Sequence, residues 1–298
     1  MSPHVHLDHG SWEFPASLTL TLFLAASLYL RAWISPRSGC AAAIPAWKAS
    51  SYLLGLVLVW MAWGSPLAAY DHRLLTVHMI KHLLLMTFAP PLILLGEPMK
   101  VFWGMTPMLG RSKLRRVWHR PLVERLARIV TSLMLCWTAS ALTLIAWHVP
   151  TLFALAVRSE IGHAVEQAMF LGAGLLFWWP VIQPWPSVSR GPQWSTLLYL
   201  FAATLPCDIL SGFLVFSDRV AYPVYFSTPR LFGFSVLEDQ QCAAALMWTC
   251  VTLVYLVPAA IISSRLLALP TSHEHDLRQS EFSGGTVPQC PPRSLEVV

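Results

Sequence analysis

Seven long apolar segments dominate this sequence of 298 residues. Each approaches the length of about 20 residues that an α-helix needs to cross the hydrocarbon core of a bilayer. The segments cover residues 14–32, 49–67, 74–95, 126–147, 161–182, 194–216 and 239–263. Hydrophobic residues make up 55% of the chain and charged residues only 12%, about half the charged share of a soluble domain. We therefore predict an all-α polytopic membrane protein, a bundle of seven transmembrane helices.

Polar segments flank the apolar region at both ends. We predict an N-terminal tail at residues 1–13, a membrane domain at 14–264 and a C-terminal tail at 265–298, which is rich in Pro, Gly and Ser and therefore disordered. No positive region precedes the first apolar run, so no cleavable signal peptide is expected. The six cysteines include no C-x-x-C pair, and several lie in apolar runs, where a free cysteine behaves as a small apolar residue.

Basic residues are shared unevenly among the loops. With the N-terminus outside, the inside loops and tail hold Arg31, Arg37, Lys48, a dense basic run within 100–128, Arg190, Arg265, Arg278 and Arg293. The outside loops hold Arg73, Arg158, Arg219 and Arg230. Because cytoplasmic loops carry the excess of Lys and Arg, we predict the N-terminus outside and the C-terminus in the cytoplasm. This orientation also accounts for the net charge of +5 without a nucleic-acid partner.

Polar residues that are costly in lipid recur at the predicted outer ends of the helices. They are His78, Lys81 and His82 in the third helix, His148 at the end of the fourth, His163, Glu166 and Gln167 in the fifth, Cys207 and Asp208 in the sixth, and Glu238, Asp239, Gln240 and Gln241 in the seventh, with Met247 two turns deeper. Non-adjacent segments thus bring polar side chains to one depth, and we predict that these residues converge.

Two histidines and a methionine of the third helix follow one another at intervals of four residues. Residues at this spacing share a helix face, so His78, His82 and Met86 are predicted to be roughly in line. Imidazole suits copper and zinc, whereas a thioether selects soft ions such as Cu(I). The pattern predicts a copper site near the outer face, completed by His148 or His163.

Other interpretations of the same residues remain open. Asp239 or Glu166 could orient an imidazole by a hydrogen bond. The histidines could instead serve only as hydrogen-bond partners between helices, and the methionines only as packing residues. For Lys81 we expect the side chain to extend toward the membrane interface; the alternative is an ion pair with Glu166 or Asp239.

The N-terminal tail contains three further histidines. Removal of the first methionine would leave Ser-Pro-His, a superficial match to the amino-terminal Cu(II) motif. That motif needs a deprotonated amide at the second residue, and Pro3 has no N–H. His4, His6 and His9 are therefore expected to capture metal only loosely, or to belong to a solvated tail.

Four long motifs occur in order between about residues 50 and 264. They are H-M-I-K-H-L-L-L-M-T-F-A-P-P-L-I-L-L-G-E-P at 78–98, W-H-V-P-T-L-F at 147–153, H-A-V-E-Q…G-L-L-F-W-W-P at 163–180 and D-Q-Q-C-A-A-A-L-M-W at 239–248. The first is similar to the signature H-M-x-x-H-L-L-L…A-P-P-L…G-x-P. Together the motifs resemble the polytopic CtaG family of bacterial cytochrome c oxidase assembly factors.

This resemblance implies a seven-helix protein of the bacterial inner membrane that is required for active cytochrome c oxidase and supports copper delivery to the CuB centre. Its polar motif positions fall on His78, His82, His148, His163 and Asp239. The expected cofactor is transiently bound Cu(I). The expected partners are oxidase subunits (subunit I first), periplasmic copper chaperones and the lipid bilayer.

One position departs from the family pattern. The motif of the fifth helix usually reads H-x-x-x-H, but Gln167 stands at its second position. Glutamine is a poor copper ligand, so either this site uses fewer histidines or the position is not a ligand. The sixth helix contains P-C-D, in which Cys207 could supply a thiolate in partial compensation.

The leading hypothesis is an assembly factor without catalytic activity, because the sequence contains no nucleophile–base constellation and no nucleotide-binding loop. One alternative is a haem- or quinone-linked redox protein with histidines of two helices as axial ligands. Another is a copper or proton transporter in which Lys81, Glu166 and Asp208 form a polar path. The inner halves of the helices carry few ionisable residues, which argues against a continuous path.

Overall fold

The computed structural model describes residues 15–35, 44–106, 110, 112, 116–182, 193–228 and 233–268. Every regular element in these ranges is helical, as predicted. The numbered helices are α1 (Ala16–Ile34), α2 (Ala46–Gly64), α3 (Leu75–Leu83, a π-helical turn at Leu84–Phe88, and Ala89–Leu95), α4 (Pro98–Met105), α5 (Pro121–Val130), α6 (Leu133–His148), α7 (Pro150–Arg158), α8 (Glu160–Ile182), α9 (Gln193–Val215) and α10 (Val236–Ala268). The predicted N-terminal tail with its histidines lies outside the described residues. Residues 265–268, predicted to begin the C-terminal tail, belong instead to α10.

Among the residues that the structure describes, five helical segments are long and apolar enough to cross a membrane: α1, Leu75–Gly104 (which contains α3), α8, α9 and α10. They correspond to five of the predicted spans. The helix predicted at 49–67 is present as α2, but α2 is not among these five. The fourth predicted span is a bent pair, α5 and α6, which meet at an angle of 50° and form a sixth span if counted together.

The bend corrects the prediction of one straight helix over 126–147. The hydroxyl of Ser132 accepts a hydrogen bond from the amide of Leu135 and thereby caps α6. None of the residues of α5 is buried. The apolar residues Leu122 and Leu126 share one face of α5. One arginine lies between them in the sequence and another follows them. Such a helix suits the membrane surface rather than its interior.

Helix α3 lies at the centre of the fold, packed against α2, α8 and α10. Its sequence contains Pro90 and Pro91, which have no amide hydrogen and so cannot donate the backbone hydrogen bonds of a regular helix. The π-helical turn at Leu84–Phe88 lies just before this pair. Close contact with α8 is possible because Gly174 faces this turn: a Cβ atom there would lie 2.7 Å from the carbonyl oxygen of Met86.

A carboxylate from another helix caps the beginning of α3. Asp239 of α10 accepts hydrogen bonds from the backbone amides of Leu75 at 2.7 Å and Thr76 at 3.1 Å. It also accepts one from the hydroxyl of Thr76 at 2.6 Å. These amides have no partner within the helix, and the carboxylate lies at its positive end. The contact therefore fixes α3 relative to α10.

We expect Gly174→Ala to destabilise the protein, because the new methyl group meets backbone atoms of Met86 that cannot simply move aside. Overpacking of this kind costs about 1–3 kcal/mol. The matched control is Gly172→Ala on the same helix, where an added Cβ meets nothing within 4 Å. Thermal unfolding in detergent measures both variants. Equal melting temperatures for the two would contradict the close contact between α3 and α8.

Replacement of Asp239 by Ala should lower stability by about 0.5–2 kcal/mol, the usual cost of losing an N-terminal cap. Asp239→Asn, which keeps one acceptor oxygen, should fall between this variant and the wild type. Asp218→Ala removes an exposed aspartate and serves as the control. The proposed capping role is wrong if Asp239→Ala and Asp218→Ala unfold at the same temperature.

Candidate functional site

Two of the predicted site residues lie together with Glu166 in the interior of the bundle. His78 and His82 occupy successive turns of α3, and Glu166 approaches them from α8; the three residues are 1%, 6% and 0% exposed. Oε1 of Glu166 lies 3.5 Å from Nε2 of each histidine. One ligand atom from each residue lies within 4.8 Å of the other two. We call these three residues the inner cluster.

Five of the six ring nitrogens and carboxylate oxygens of the inner cluster lack hydrogen-bond partners among the described residues. This holds for Nε2 of His78, both ring nitrogens of His82 and both carboxylate oxygens of Glu166. The separations of 3.5 Å exceed the length of a charge-assisted hydrogen bond, about 2.7–2.9 Å. Because an unpaired buried polar group costs free energy, this donor set is suited to a cation that all three side chains contact.

Two phenylalanines hold the imidazole rings in place. Phe170 of α8 stacks on His82 with ring centroids 3.9 Å apart. Phe153 of α7 packs edge-on against His78 at 4.8 Å. The segment that forms α7 was predicted to be part of a loop, yet this short helix forms one wall of the inner cluster.

His148, which was predicted as a further ligand, lies beside the inner cluster at the end of α6 and is buried. Its ring centroid is 6.1 Å from that of His82. Its Nδ1 donates a hydrogen bond to the carbonyl oxygen of Leu144 at 2.7 Å, which leaves the lone pair on Nε2. Metal-binding histidines commonly donate their other ring N–H in this way. Nε2 has no partner in the described part of the chain, so His148 is a fourth candidate ligand.

His163 lies next to the inner cluster rather than within it. Its Nδ1 is 3.9 Å from Oε2 of Glu166, and its Nε2 is 3.1 Å from Oδ2 of Asp71. Gln167 contacts His163 through its amide. The residue at the position where the family usually has a second histidine thus supports His163 and lies outside the inner cluster.

The side chain of Lys81 is directed into the bundle. It is 2% exposed, forms an ion pair with Asp71 and lies 3.0 Å from Nε2 of His163. The prediction that it extends to the membrane interface is therefore wrong, and its ion-pair partner is neither Glu166 nor Asp239. Asp71 reaches the ammonium group from the turn before α3, and a buried charge is best stabilised by an opposite charge in direct contact.

Asp71 and its neighbour His72 were missed by the sequence analysis. Burial alone would raise the pKa of Asp71, but the hydrogen bond with His163 and the positive charge of Lys81 outweigh it, so the pKa lies well below its usual range. Burial is also the main cause that lowers the pKa of His72. The sequence signal was Y-D-H-R immediately before the third apolar segment. Of these four residues, only Arg73 contributed to a prediction, that of the topology.

Sulfur-containing side chains line a cavity of about 40 Å³ beside the inner cluster. Met86, Met247 and Cys207 line it together with His82 and His148. The π-helical turn interrupts the four-residue repeat from which we predicted that Met86 lies in line with the two histidines. The remaining polar residue of the sixth predicted helix, Asp208, belongs to neither the inner cluster nor this cavity.

The polar residues at the beginning of α10 have structural contacts. Asp239 acts on α3 through its backbone amides, as described above. Gln240 is fully buried, accepts a hydrogen bond from the amide of Ala221 at 2.7 Å and donates one to the carbonyl oxygen of Leu214 at 3.3 Å. Both residues thus hold the helices that surround the site.

Comparison with known proteins adds a family assignment. An uncharacterized protein of Mycobacterium bovis and one of Mycobacterium tuberculosis are each 28% identical over 228 residues, which is 74% of this chain and 34% of the relative. An uncharacterized protein of Mycobacterium leprae is 24% identical over 273 residues, 89% of this chain and 40% of the relative. The chain therefore spans only about a third to two fifths of the length of these curated relatives. No solved structure matches it.

A family model matches most of the chain and includes the inner cluster. Its description is cytochrome c oxidase caa3 assembly factor, and the match covers residues 27–268. This range begins within α1 and ends with the last residue of α10. By this match, the chain belongs to the family of cytochrome c oxidase caa3 assembly factors.

Proposed function

We propose that this protein holds copper transiently at the inner cluster, within the membrane, and releases it toward the CuB centre of a cytochrome c oxidase under assembly. The family assignment supports the assembly role. The observation that carries the copper proposal is the inner cluster itself, two imidazoles and one carboxylate that are buried, unpartnered and within 4.8 Å of one another. Imidazole nitrogens and carboxylate oxygens are common ligands of transition metals.

The surroundings of the inner cluster favour copper among the metals that bind imidazole. Met86 and Met247 supply thioether sulfurs, and Cys207 a thiol, to the neighbouring cavity. Thioethers and thiolates select Cu(I), whereas two imidazoles and a carboxylate also suit Cu(II) and zinc. Copper is the metal for which both kinds of donor are useful, because it occurs in both oxidation states.

The same geometry supports transient rather than permanent binding. The inner cluster supplies three ligand residues, with His148 as a candidate fourth, and the donors come from α3, α6 and α8. A site with exchangeable ligands suits a carrier that must release its ion, whereas a structural metal site is closed by four strong ligands. No catalytic step is part of this proposal.

The haem alternative receives little support from the geometry. The cavity beside His82 and His148 has a volume of about 40 Å³, whereas pockets for organic ligands are about 300–1,000 Å³. His78 and His82 are also neighbours on one helix, with ring centroids 4.3 Å apart. A transporter would need polar groups beyond His148, where the cavity is lined mainly by apolar and sulfur-containing side chains.

The orientation that we propose places the beginning of α3, and therefore the inner cluster, toward the outer side of the bacterial inner membrane. It counts α2 and the bent α5–α6 pair as spans, which makes seven. In this position the protein would receive copper from a periplasmic chaperone and meet subunit I of the oxidase as the CuB centre forms. The positive-inside rule is the physical argument for this arrangement.

Fusions to the C-terminus test the orientation. Alkaline phosphatase is active only outside the cytoplasm, so its fusion should be inactive, whereas a fluorescent protein fused at the same place should be bright. A phosphatase fusion in the loop between α8 and α9, on the same predicted side, should also be inactive, and one in the loop between α9 and α10 should be active. An active C-terminal phosphatase fusion would overturn the orientation.

Simultaneous replacement of His78 and His82 by Ala should abolish copper retention at the inner cluster and lower oxidase activity. The protein should remain in the membrane in normal amount. His119→Ala is the control, because His119 is exposed and pairs with Glu124 on the surface. Metal analysis and absorption spectra of the purified proteins, with oxidase activity of the membranes, give the readouts. Copper retention equal to that of the control would rule out the inner cluster as the copper site.

A further inference from the structure

A second group of metal-ligating side chains lies outside the inner cluster. It consists of Asp71, His72 and His163, whose ligand atoms lie within 4.8 Å of one another. Nε2 of His72 is 3.3 Å from Oδ1 of Asp71, and Nε2 of His163 is 3.1 Å from Oδ2 of the same carboxylate. The donors are again two imidazoles and one carboxylate. We call these three residues the outer cluster.

The carboxylate of the outer cluster is buried and only half paired. Asp71 is 1% exposed, and its Oδ1 has no hydrogen-bond partner in the described residues. Its Oδ2 is in contact with the ammonium group of Lys81. Nδ1 of His163 also has no partner among the described residues. The ammonium group of Lys81 therefore already lies at one oxygen of Asp71, while the other oxygen is left for an ion, and Nδ1 of His163 is left on the side of the inner cluster.

Unlike the inner cluster, the outer cluster borders an open space. A cleft of about 610 Å³ is lined by all three of its residues and by Lys81, Arg158 and Glu160. The side chain of His72 is 53% exposed. A hydrated ion can therefore reach the outer cluster directly, whereas the three residues of the inner cluster are at most 6% exposed.

One imidazole connects the two clusters. His163 contacts Asp71 through Nε2, and its Nδ1 is directed toward Glu166 at 3.9 Å. Its ring centroid lies 5.8 Å from that of His78. A histidine has two ring nitrogens that can each act as a ligand. His163 is thus in contact range of a ligand from each cluster.

We propose that the outer cluster is an uptake site at which a copper ion binds first, and that His163 then passes the ion to the inner cluster. Lys81 occupies the cation position at Asp71 before the ion arrives and moves away from the carboxylate when the ion binds. The ammonium group and the ion compete for one carboxylate, so binding at the outer cluster is weak and readily reversed. This proposal rests on the function proposed above, because the inner cluster is the destination of the ion.

The test uses the full-length protein in detergent and Cu(II), which suits the donors of both clusters. Electron paramagnetic resonance counts the bound ions, and quenching of tryptophan fluorescence follows the rate of loading. Wild type should bind two ions. His72→Ala, at a half-exposed position that tolerates substitution, should bind one ion and load it more slowly. Loss of a ligand should lower the copper affinity of the outer cluster by about tenfold or more. Even the loss of a residue that only supports a ligand lowers metal affinity by about 10- to 100-fold.

Two further variants separate the possible failures. Glu160→Gln removes a charge from the same cleft without removing a donor of the outer cluster, and should load two ions at nearly the wild-type rate. His78→Ala with His82→Ala should still bind one ion, at the outer cluster. Wild-type stoichiometry and loading rate in His72→Ala would overturn the uptake site. Two ions bound by the inner-cluster double variant would overturn the proposed function instead.

Discussion

Two carboxyl groups and one ammonium group buried in an apolar bundle set the main physical constraint on this protein. Asp71, Glu166 and Lys81 are each at most 2% exposed, and buried charge without a counter-charge is costly. Lys81 compensates Asp71 by direct contact, but Glu166 faces imidazole nitrogens at 3.5–3.9 Å. Imidazoles that act as ligands are neutral, so they leave the carboxylate uncompensated. A metal cation between Glu166 and the histidines would compensate this charge, which supports the copper site proposed above.

The backbone that holds this site is itself constrained at several points. Asp239 caps the first turn of α3, and the π-helical turn accommodates the prolines that follow. Gly174 lets α8 approach that turn closely enough for Glu166, two turns earlier on the same helix, to reach the histidines. None of these contacts involves a side-chain atom of the inner cluster. They position the imidazoles in a segment that would otherwise be kinked by its prolines, so the site is built by helix packing rather than by a flexible loop.

The sequence predicted most of the long helices because the length of an apolar run reports directly on a helix that can cross a membrane. The sequence also predicted which helices carry His78, His82 and His148, because each histidine falls at a recognisable position of an apolar run.

The bend at Ser132 was missed because the amphipathic face of α5 merges with the apolar run of α6. The ion pair of Lys81 was missed for another reason: its partner Asp71 lies ten residues away in a turn, and helical spacing carries no information about how a turn folds back. Glu166 was assigned a supporting role, because nothing in one sequence shows that its carboxylate lies between two histidines.

The types of donor atom change from the cleft to the interior of the bundle, and their order bears on the direction proposed for copper transfer. Carboxylate oxygen and imidazole nitrogen come first, at the cleft, and the same donors recur in the buried inner cluster. Thioether and thiol sulfur follow, at the cavity beyond His82 and His148. Oxygen and nitrogen donors accept copper in either oxidation state, whereas sulfur selects Cu(I). An ion that moves from ligand to ligand along this order never has to leave all its donors at once, because His163 touches both clusters and His82 belongs to both the inner cluster and the cavity. In the transfer proposed above, these shared histidines would take the place of a water-filled channel between the cleft and the buried donors.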